Sequence, residues 1–182
     1  MDRRKKELDA FWFHTFFTAR CAKLLAKKFE PLLSHEDLWP AAMLHDVGKI
    51  ATSDLILKKP DRLDRQEYEI MKLHTLHGAR LFLDRQSDFD DAAGVVALNH
   101  HERWDGRGYP GKIDNVHARE IRFGPGKREK DIPLTARIVA LADVYDALCS
   151  ERVYKRAFSH AEARDLILQG RGSHFDPDVV DA

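Results

Sequence analysis

The stretch IPLTARIVALADVYDALCS, Ile132 to Ser150, is apolar almost throughout, and its pattern predicts a long buried helix. Asp143 stands in its middle among large apolar neighbours. An isolated carboxylate in such surroundings is costly, so it needs a paired base or a bound cation. Working outward from this helix, the rest of the chain keeps the same period. DDAAGVVALNHH (90–101) reads as a shorter apolar helix that ends on His100 and His101. LDRQEYEIMKLHTLHGARLFLD (63–84) reads as one long helix capped by Asp64, with Glu67 three residues on and His74 in its interior. LWPAAMLHDVG (38–48) continues a helix opened by Ser34 and is expected to stop at Gly48, so that His45 and Asp46 fall near a buried helix end. Pro40 falls in its first turns or moves the true start later. TSDLILKKP (52–60) reads as an irregular connector, and SHAEARDLILQG (159–170) as an amphipathic helix capped by Ser159 and closed by Gly170. From Leu8 to Phe29 apolar residues recur at helical spacing until Pro31 ends the run. Strand patterns, internal repeats and low-complexity tracts are absent, which makes the chain all-α.

Composition narrows the function. The 182 residues are enough for one domain with a full core. Thirty basic and thirty acidic residues give a formal net charge of zero, which argues against a broad footprint for a nucleic acid polymer and leaves room for a local basic pocket. No apolar run reaches the roughly 20 residues that span a membrane, and MDRRKKELDAFWF lacks the cleavage site of a signal peptide. The two cysteines, Cys21 and Cys149, lie far apart without CxxC spacing, which fits a reducing cytoplasm and offers no thiolate metal site.

Ten histidines are many for this length. His45, Asp46, His74, His100, His101 and Asp143 all sit among apolar neighbours on four helices. Any one of them alone is better read as a hydrogen-bonded core residue or an Asp paired with Arg. Together they read as ligands converging on cations. Four His and two Asp without Cys suit iron or manganese in octahedral geometry better than tetrahedral zinc.

Five ordered motifs then carry a family resemblance: LHDVGK (44–49), His74 in MKLHTLHGARL (71–81), HHERWDGRGYP (100–110), ADVYDALCSERVYKR (142–156) and HFDPDVV (174–180). Together, from Ala41 to the C-terminus, they resemble the HD-GYP domain, a subgroup of the HD phosphohydrolases. The resemblance implies an HD-domain helical bundle with an extended GYP loop, holding divalent metals, usually iron or manganese. It implies hydrolysis of the bacterial second messenger cyclic di-GMP to linear pGpG, or of the related cyclic GMP-AMP, in the cytoplasm. It assigns His45 and Asp46 as ligands with Asp46 bridging two metals, His74, His100 and His101 to one metal, and Asp143 to the other. Lys49 matches the lysine over the scissile phosphate, Tyr109 the tyrosine of the GYP signature, and Arg152 and Lys155 the basic residues that hold the ligand's phosphates. Signalling proteins that dock on the GYP loop and a homodimer are further partners of this reading.

The chemistry asks for these types. A hydroxide bridging two metals about 3.5–4 Å apart supplies a nucleophile at neutral pH, and the metals clamp the oxygens of the in-line displacement. Lys49 can neutralise a non-bridging oxygen or assist the leaving 3′-oxygen. Arg152 binds phosphate bidentately and Lys155 as a point charge. Tyr109 can stack on guanine or donate its hydroxyl to phosphate. Glu102 and Asp105 fit better as braces of the loop or orienters of the histidines than as ligands. His35, His77, His117, His160 and His174 have no motif support and read as structural or surface residues.

The chain departs from the family at two places. The helix over 7–29 lacks the family's ExxxH pattern: four residues before His14 stands Ala10, and Asp9 lies about 140° round the helix. In an alternative alignment Phe17 takes the histidine slot and Phe13 the glutamate slot, so His14 either lies one turn from its expected place or lacks its partner, and two metals are expected instead of three, with pGpG as the product. Behind the GYP signature, residues 111–131 are longer than usual and carry several Lys and Arg, read as a surface insertion in preference to a lid. The whole, residues 1–182, is read as one domain. Two rivals stand beside this reading: an HD hydrolase of mononucleotides, and a catalytically silent module that binds a cyclic dinucleotide or a protein.

Overall fold

A computed structural model describes residues 3–84, 86–118, 121–151 and 156–182, with side chains from Phe11 onward. Its α-helices are α1 (Arg3–Ala26), α2 (His35–Met43), α3 (Asp54–Leu57), α4 (Arg65–Lys72), α5 (His74–Arg80), α6 (Asp88–Asn99), α7 (Leu134–Cys149), α8 (His160–Gln169) and α9 (Pro177–Val180). Short 3-10 segments cover Lys27–Phe29, Val47–Ala51 and Glu129–Asp131. Among the described residues there is no β-strand, only a single bridge between Arg171 and Phe175. Among the described residues no helix is long and apolar enough to cross a membrane.

The starts of the helices follow local chemistry. The Ser34, Ser87 and Ser159 side chains each accept a backbone N–H of the first turn, which satisfies donors that the helix itself cannot. Asp64 with Glu67, and Ser159 with Glu162, close reciprocal capping boxes. The core is built on α7, which packs against α1, α6, α8 and α9. Its buried Ile138, Val139, Leu141 and Ala142 meet Ala19, Ala22 and Ala26 of α1 and Ala93 and Val96 of α6. The many alanines keep these helix axes close. At the far end, the buried Asp176 pairs with Arg137 of α7 and also caps α9 through the Asp178 N–H, so the HFDP turn is clasped to the central helix.

Three elements differ from the sequence reading. α2 ends at Met43, not at Gly48, so His45 and Asp46 lie in the turn that follows it. Gly48 is not a helix stop. A Cβ on it would stand 1.9 Å from the His74 carbonyl oxygen and 2.3 Å from the Gly78 nitrogen, so its absence lets this turn press against α5. The expected single helix over 63–84 breaks at Leu73, and His74 opens α5 instead of lying in a helix interior. The connector after Thr52 contains α3, capped by Ser53. Pro40 stands inside α2, whose start remains at His35.

Candidate metal centre

The breaks and turns just described aim side chains at one point. His45 and Asp46 enter from the turn after α2, His74 from the first position of α5, and His100 and His101 from the C-terminal end of α6. Asp143 comes from the middle of α7 and His14 from α1. Two groups result: Asp46, His74, His100 and His101, and His14, His45 and Asp143, each with donor atoms within 4.8 Å of one another. Asp46 joins them. Its Oδ1 lies 3.4 Å from His74 Nε2 and 3.7 Å from His100 Nε2, while its Oδ2 lies 3.4 Å from His45 Nε2 and 3.7 Å from His14 Nε2. Asp143 Oδ1 is 3.5 Å from His14 Nε2 and 3.8 Å from His45 Nε2.

The tautomers are fixed by the backbone. His45 Nδ1 lies 2.6 Å from the Ala42 carbonyl, His74 Nδ1 2.7 Å from that of Met71, and His100 Nδ1 3.1 Å from that of Val96. A carbonyl only accepts, so each Nδ1 carries the proton and each Nε2 points a lone pair inward. His74 Nε2 and His100 Nε2 then face each other at 3.4 Å with no proton between them. His45 Nε2 and Asp46 Oδ1 are buried without any hydrogen-bond partner. Converging lone pairs and an orphaned buried carboxylate oxygen fit a cation, and the backbone carbonyls behind the imidazoles are the outer partners that metal-binding histidines use.

The electrostatics separate the two groups. Burial, reinforced by His100, pulls His74 down to about 4. Burial and the neighbouring imidazoles hold His101 well below the usual histidine range. Burial also opposes charge on His14, yet Asp146, Asp46 and Asp143 outweigh it and lift His14 to about 9. His45 is likewise raised, with the Asp46 and Asp143 carboxylates outweighing its burial. Asp46 stays well below the usual carboxylate range despite burial, because Lys49 and His45 face it. Lys49 Nζ lies 2.5 Å from Asp46 Oδ2 and is about one-third exposed, at 32%.

One residue at this centre, Asp146, escaped the sequence reading. His14, left without a partner on its own helix, pairs through Nδ1 with Asp146, a buried carboxylate of α7. Ser150 Oγ donates to the other oxygen of Asp146. The signal was present in ALADVYDAL: Asp146 follows Asp143 by three positions, on the same helix face.

Behind the histidines the glycine loop folds tightly. Gly108 packs so close that a Cβ would meet the His101 carbonyl oxygen at 2.5 Å. Tyr109 is half-buried, its N–H donating to the His101 carbonyl oxygen at 3.2 Å and its ring stacked on the His101 ring at 4.8 Å. Burial pushes the Tyr109 phenol up. Glu102 braces the loop, accepting the Gly111 N–H at 2.6 Å and the Lys127 N–H at 3.1 Å. Asp105 accepts from Arg103 and from the Arg107 N–H. The segment after Gly111 is pinned to the helices: Arg80 donates to the carbonyls of Val116 and Ala118, and Lys127 Nζ donates to Asn99. Arg152 and Lys155 lie outside the described residues.

A family model described as HD domain matches residues 11–148, and a second HD domain model matches 122–179. A cyclic di-GMP phosphodiesterase of Vibrio cholerae is 44% identical over 152 residues, covering 81% of this chain and 28% of that protein. A 3'3'-cGAMP-specific phosphodiesterase 2 of the same organism is 38% identical over 141 residues, covering 78% of this chain and 24% of the relative. The chain thus spans less than a third of the length of these two relatives. The solved structure of an HDG"Y"P protein from Bdellovibrio bacteriovorus has the same fold, with a TM-score of 0.63 at 20% identity over 94% of this chain and 50% of that one. The chain belongs to the HD domain family, a metal-dependent hydrolase fold, and the HD-GYP resemblance of its motifs is borne out.

Proposed function

We propose that this HD-domain chain hydrolyses a cyclic dinucleotide, cyclic di-GMP foremost, by opening one phosphodiester to give linear pGpG. The observation that carries the reading is the shared carboxylate: each oxygen of Asp46 faces a different group of donors. His74, His100, His101 and Asp46 Oδ1 would hold one divalent ion. His14, His45, Asp143 and Asp46 Oδ2 would hold a second. Nitrogen and carboxylate donors without sulfur favour iron or manganese. Two such ions, when bound, supply a nucleophile from water at neutral pH and clamp the phosphoryl oxygens of an in-line displacement.

The side chains supply the remaining roles. Lys49, at the solvent side of Asp46, can neutralise a non-bridging phosphate oxygen and can give a proton to the departing 3′-oxygen as the P–O3′ bond breaks. The Tyr109 ring lies beside His74 and His101 of the same centre, and its hydroxyl can donate to the substrate. Arg152 and Lys155 are proposed for the two phosphates, from their residue types and spacing alone. Relatives named for cyclic di-GMP and for 3'3'-cGAMP support a cyclic dinucleotide as the substrate class. We take the cytoplasm as the site of action.

The test is turnover by purified protein loaded with Mn²⁺ or Fe²⁺, offered cyclic di-GMP, 3'3'-cGAMP and a simple phosphodiester control, with products resolved by chromatography. pGpG from cyclic di-GMP is the expected result. Faster turnover of 3'3'-cGAMP would move the specificity to that substrate. Hydrolysis of the control alone would sink the dinucleotide reading, and binding without turnover would make the chain a binding module.

A further inference from the structure

The histidines His45, His74, His100 and His101 are not held alike. Three of them, His45, His74 and His100, have Nδ1 anchored on a carbonyl of the preceding turn. Among the described residues, no hydrogen bond reaches either ring nitrogen of His101. His101 follows the helix end, where the α6 carbonyls no longer lie beneath its ring. Its orientation has to come from packing. The His100 ring, 4.1 Å away, and the His74 ring, 5.1 Å away, bound the His101 ring on the metal-centre side; outside that group of histidines the Tyr109 ring packs on it, 4.8 Å away and inclined by only 29°, while the Tyr109 N–H ties the two backbones together.

Tyr109 is itself held by a second layer. The Lys72 ammonium lies 5.7 Å over the Tyr109 ring, 5.0 Å over Tyr68 and 5.7 Å over Phe123, and it donates to Glu69 at 2.7 Å. Tyr68 also meets Tyr109 edge to face at 6.2 Å. A cation sandwiched by aromatic faces is a stabilising arrangement. Phe123 belongs to the segment behind the glycine loop, so that segment contributes to the cage.

We propose that Tyr109 is a positioning residue for His101, and that Lys72, clamped by Tyr68 and Phe123, holds the Tyr109 ring against it. The ring face does this work and the hydroxyl does not, which leaves the hydroxyl free for the substrate. This inference rests on the metal-centre reading above. It separates two roles within one residue: the face of the ring fixes a ligand, and the hydroxyl is left to the substrate.

The test compares Tyr109→Phe with Tyr109→Leu by Mn²⁺ titration calorimetry and by the Mn²⁺ electron paramagnetic resonance spectrum, with folding checked by circular dichroism. Tyr109→Phe is expected to bind Mn²⁺ like the parent protein, with any deficit confined to KM. Tyr109→Leu is expected to lose about ten- to a hundredfold in affinity at one of two sites, the range typical when the partner that orients a ligand is removed. In a Tyr109→Leu, His101→Ala double variant the losses should not add, because both act on one ligand. Lys72→Met should weaken the same site in the same direction, and it decides the matter if Tyr109→Leu does not fold. Unchanged affinity in a folded Tyr109→Leu protein, or in Lys72→Met where that variant decides, overturns the inference. Failure of the parent protein to bind Mn²⁺, or unchanged binding in His101→Ala, overturns the metal-centre reading instead.

Discussion

On one side of Asp46, His74, His100 and His101 face inward from α5 and the end of α6; on the other, His14, His45 and Asp143 arrive from α1, the turn after α2, and α7. The first group is crowded with imidazoles whose burial and mutual repulsion keep His74 and His101 neutral. The second is rich in carboxylates, which lift His14 to about 9 and raise His45 as well. One group is poised as bare lone pairs, and the other as a network of paired charges. A centre with one shared ligand can therefore be assembled from two different kinds of chemistry, each dictated by which helices happen to meet.

The largest effect should come from the residue the two sides share. Asp46→Ala is expected to weaken Mn²⁺ at both groups by more than the about ten- to hundredfold lost with an outer partner, and to remove turnover. Calorimetric stoichiometry checks it, and one site persisting at full affinity would show that the two sides are independent. Next is Gly48→Ala, which forces a Cβ against the α5 backbone and should cost about 3 kcal/mol. At this chain length that lowers Tm by roughly 6–12 °C. A melt within a degree or so of the parent's would mean that the turn does not need its close approach.

Asp146→Asn sharpens the contrast itself. It removes the carboxylate behind His14 and should weaken Mn²⁺ about tenfold or more on the α1–α7 side only. Equal weakening on both sides in a metal titration would erase the distinction. The smallest effect concerns a histidine that belongs to neither group. Burial and the Arg103 charge pull His174 down to about 4. A histidine depressed in the folded state adds stability that is complete above its unfolded value, near 6.5, and is lost as pH falls from there toward about 4. Denaturant melts of His174→Gln should show a shallower loss over that window than the parent protein.

The two sides also differ in how far local sequence reveals them. His74 and the His100–His101 pair stood out because each occupies a run of apolar helix, where a polar ring demands an explanation. The HD doublet was equally plain, but its setting was not. Gly48 looks like a helix stop, whereas its role is a contact with the backbone of His74 and Gly78, far along the chain. The break at Leu73 leaves no mark in the periodicity, because Leu73 keeps right-handed helical angles and only the hydrogen bonding shifts, its N–H donating to the Ile70 carbonyl. His14 was set aside because its partner was sought one turn away on α1, and the carboxylate that answers it comes from α7, 132 positions later. Local pattern shows what a helix buries. It does not show which carboxylate a neighbouring helix brings to the same place.

Glu102 has one more consequence. Its two oxygens take the backbone N–H groups of Gly111 and Lys127, and the Lys112 N–H donates to the Pro125 carbonyl nearby, so the excursion between them begins and ends at one point. A loop whose feet are fastened in this way passes little of an added length to its two ends. Lengthening a closed loop is cheap, about 0.6 kcal/mol of closure entropy for each doubling. The exposed Asp114 and Asn115 lie between the Lys112 foot and the Val116 and Ala118 carbonyls held by Arg80, a natural graft point for an epitope or a fluorescent reporter that leaves those anchors in place.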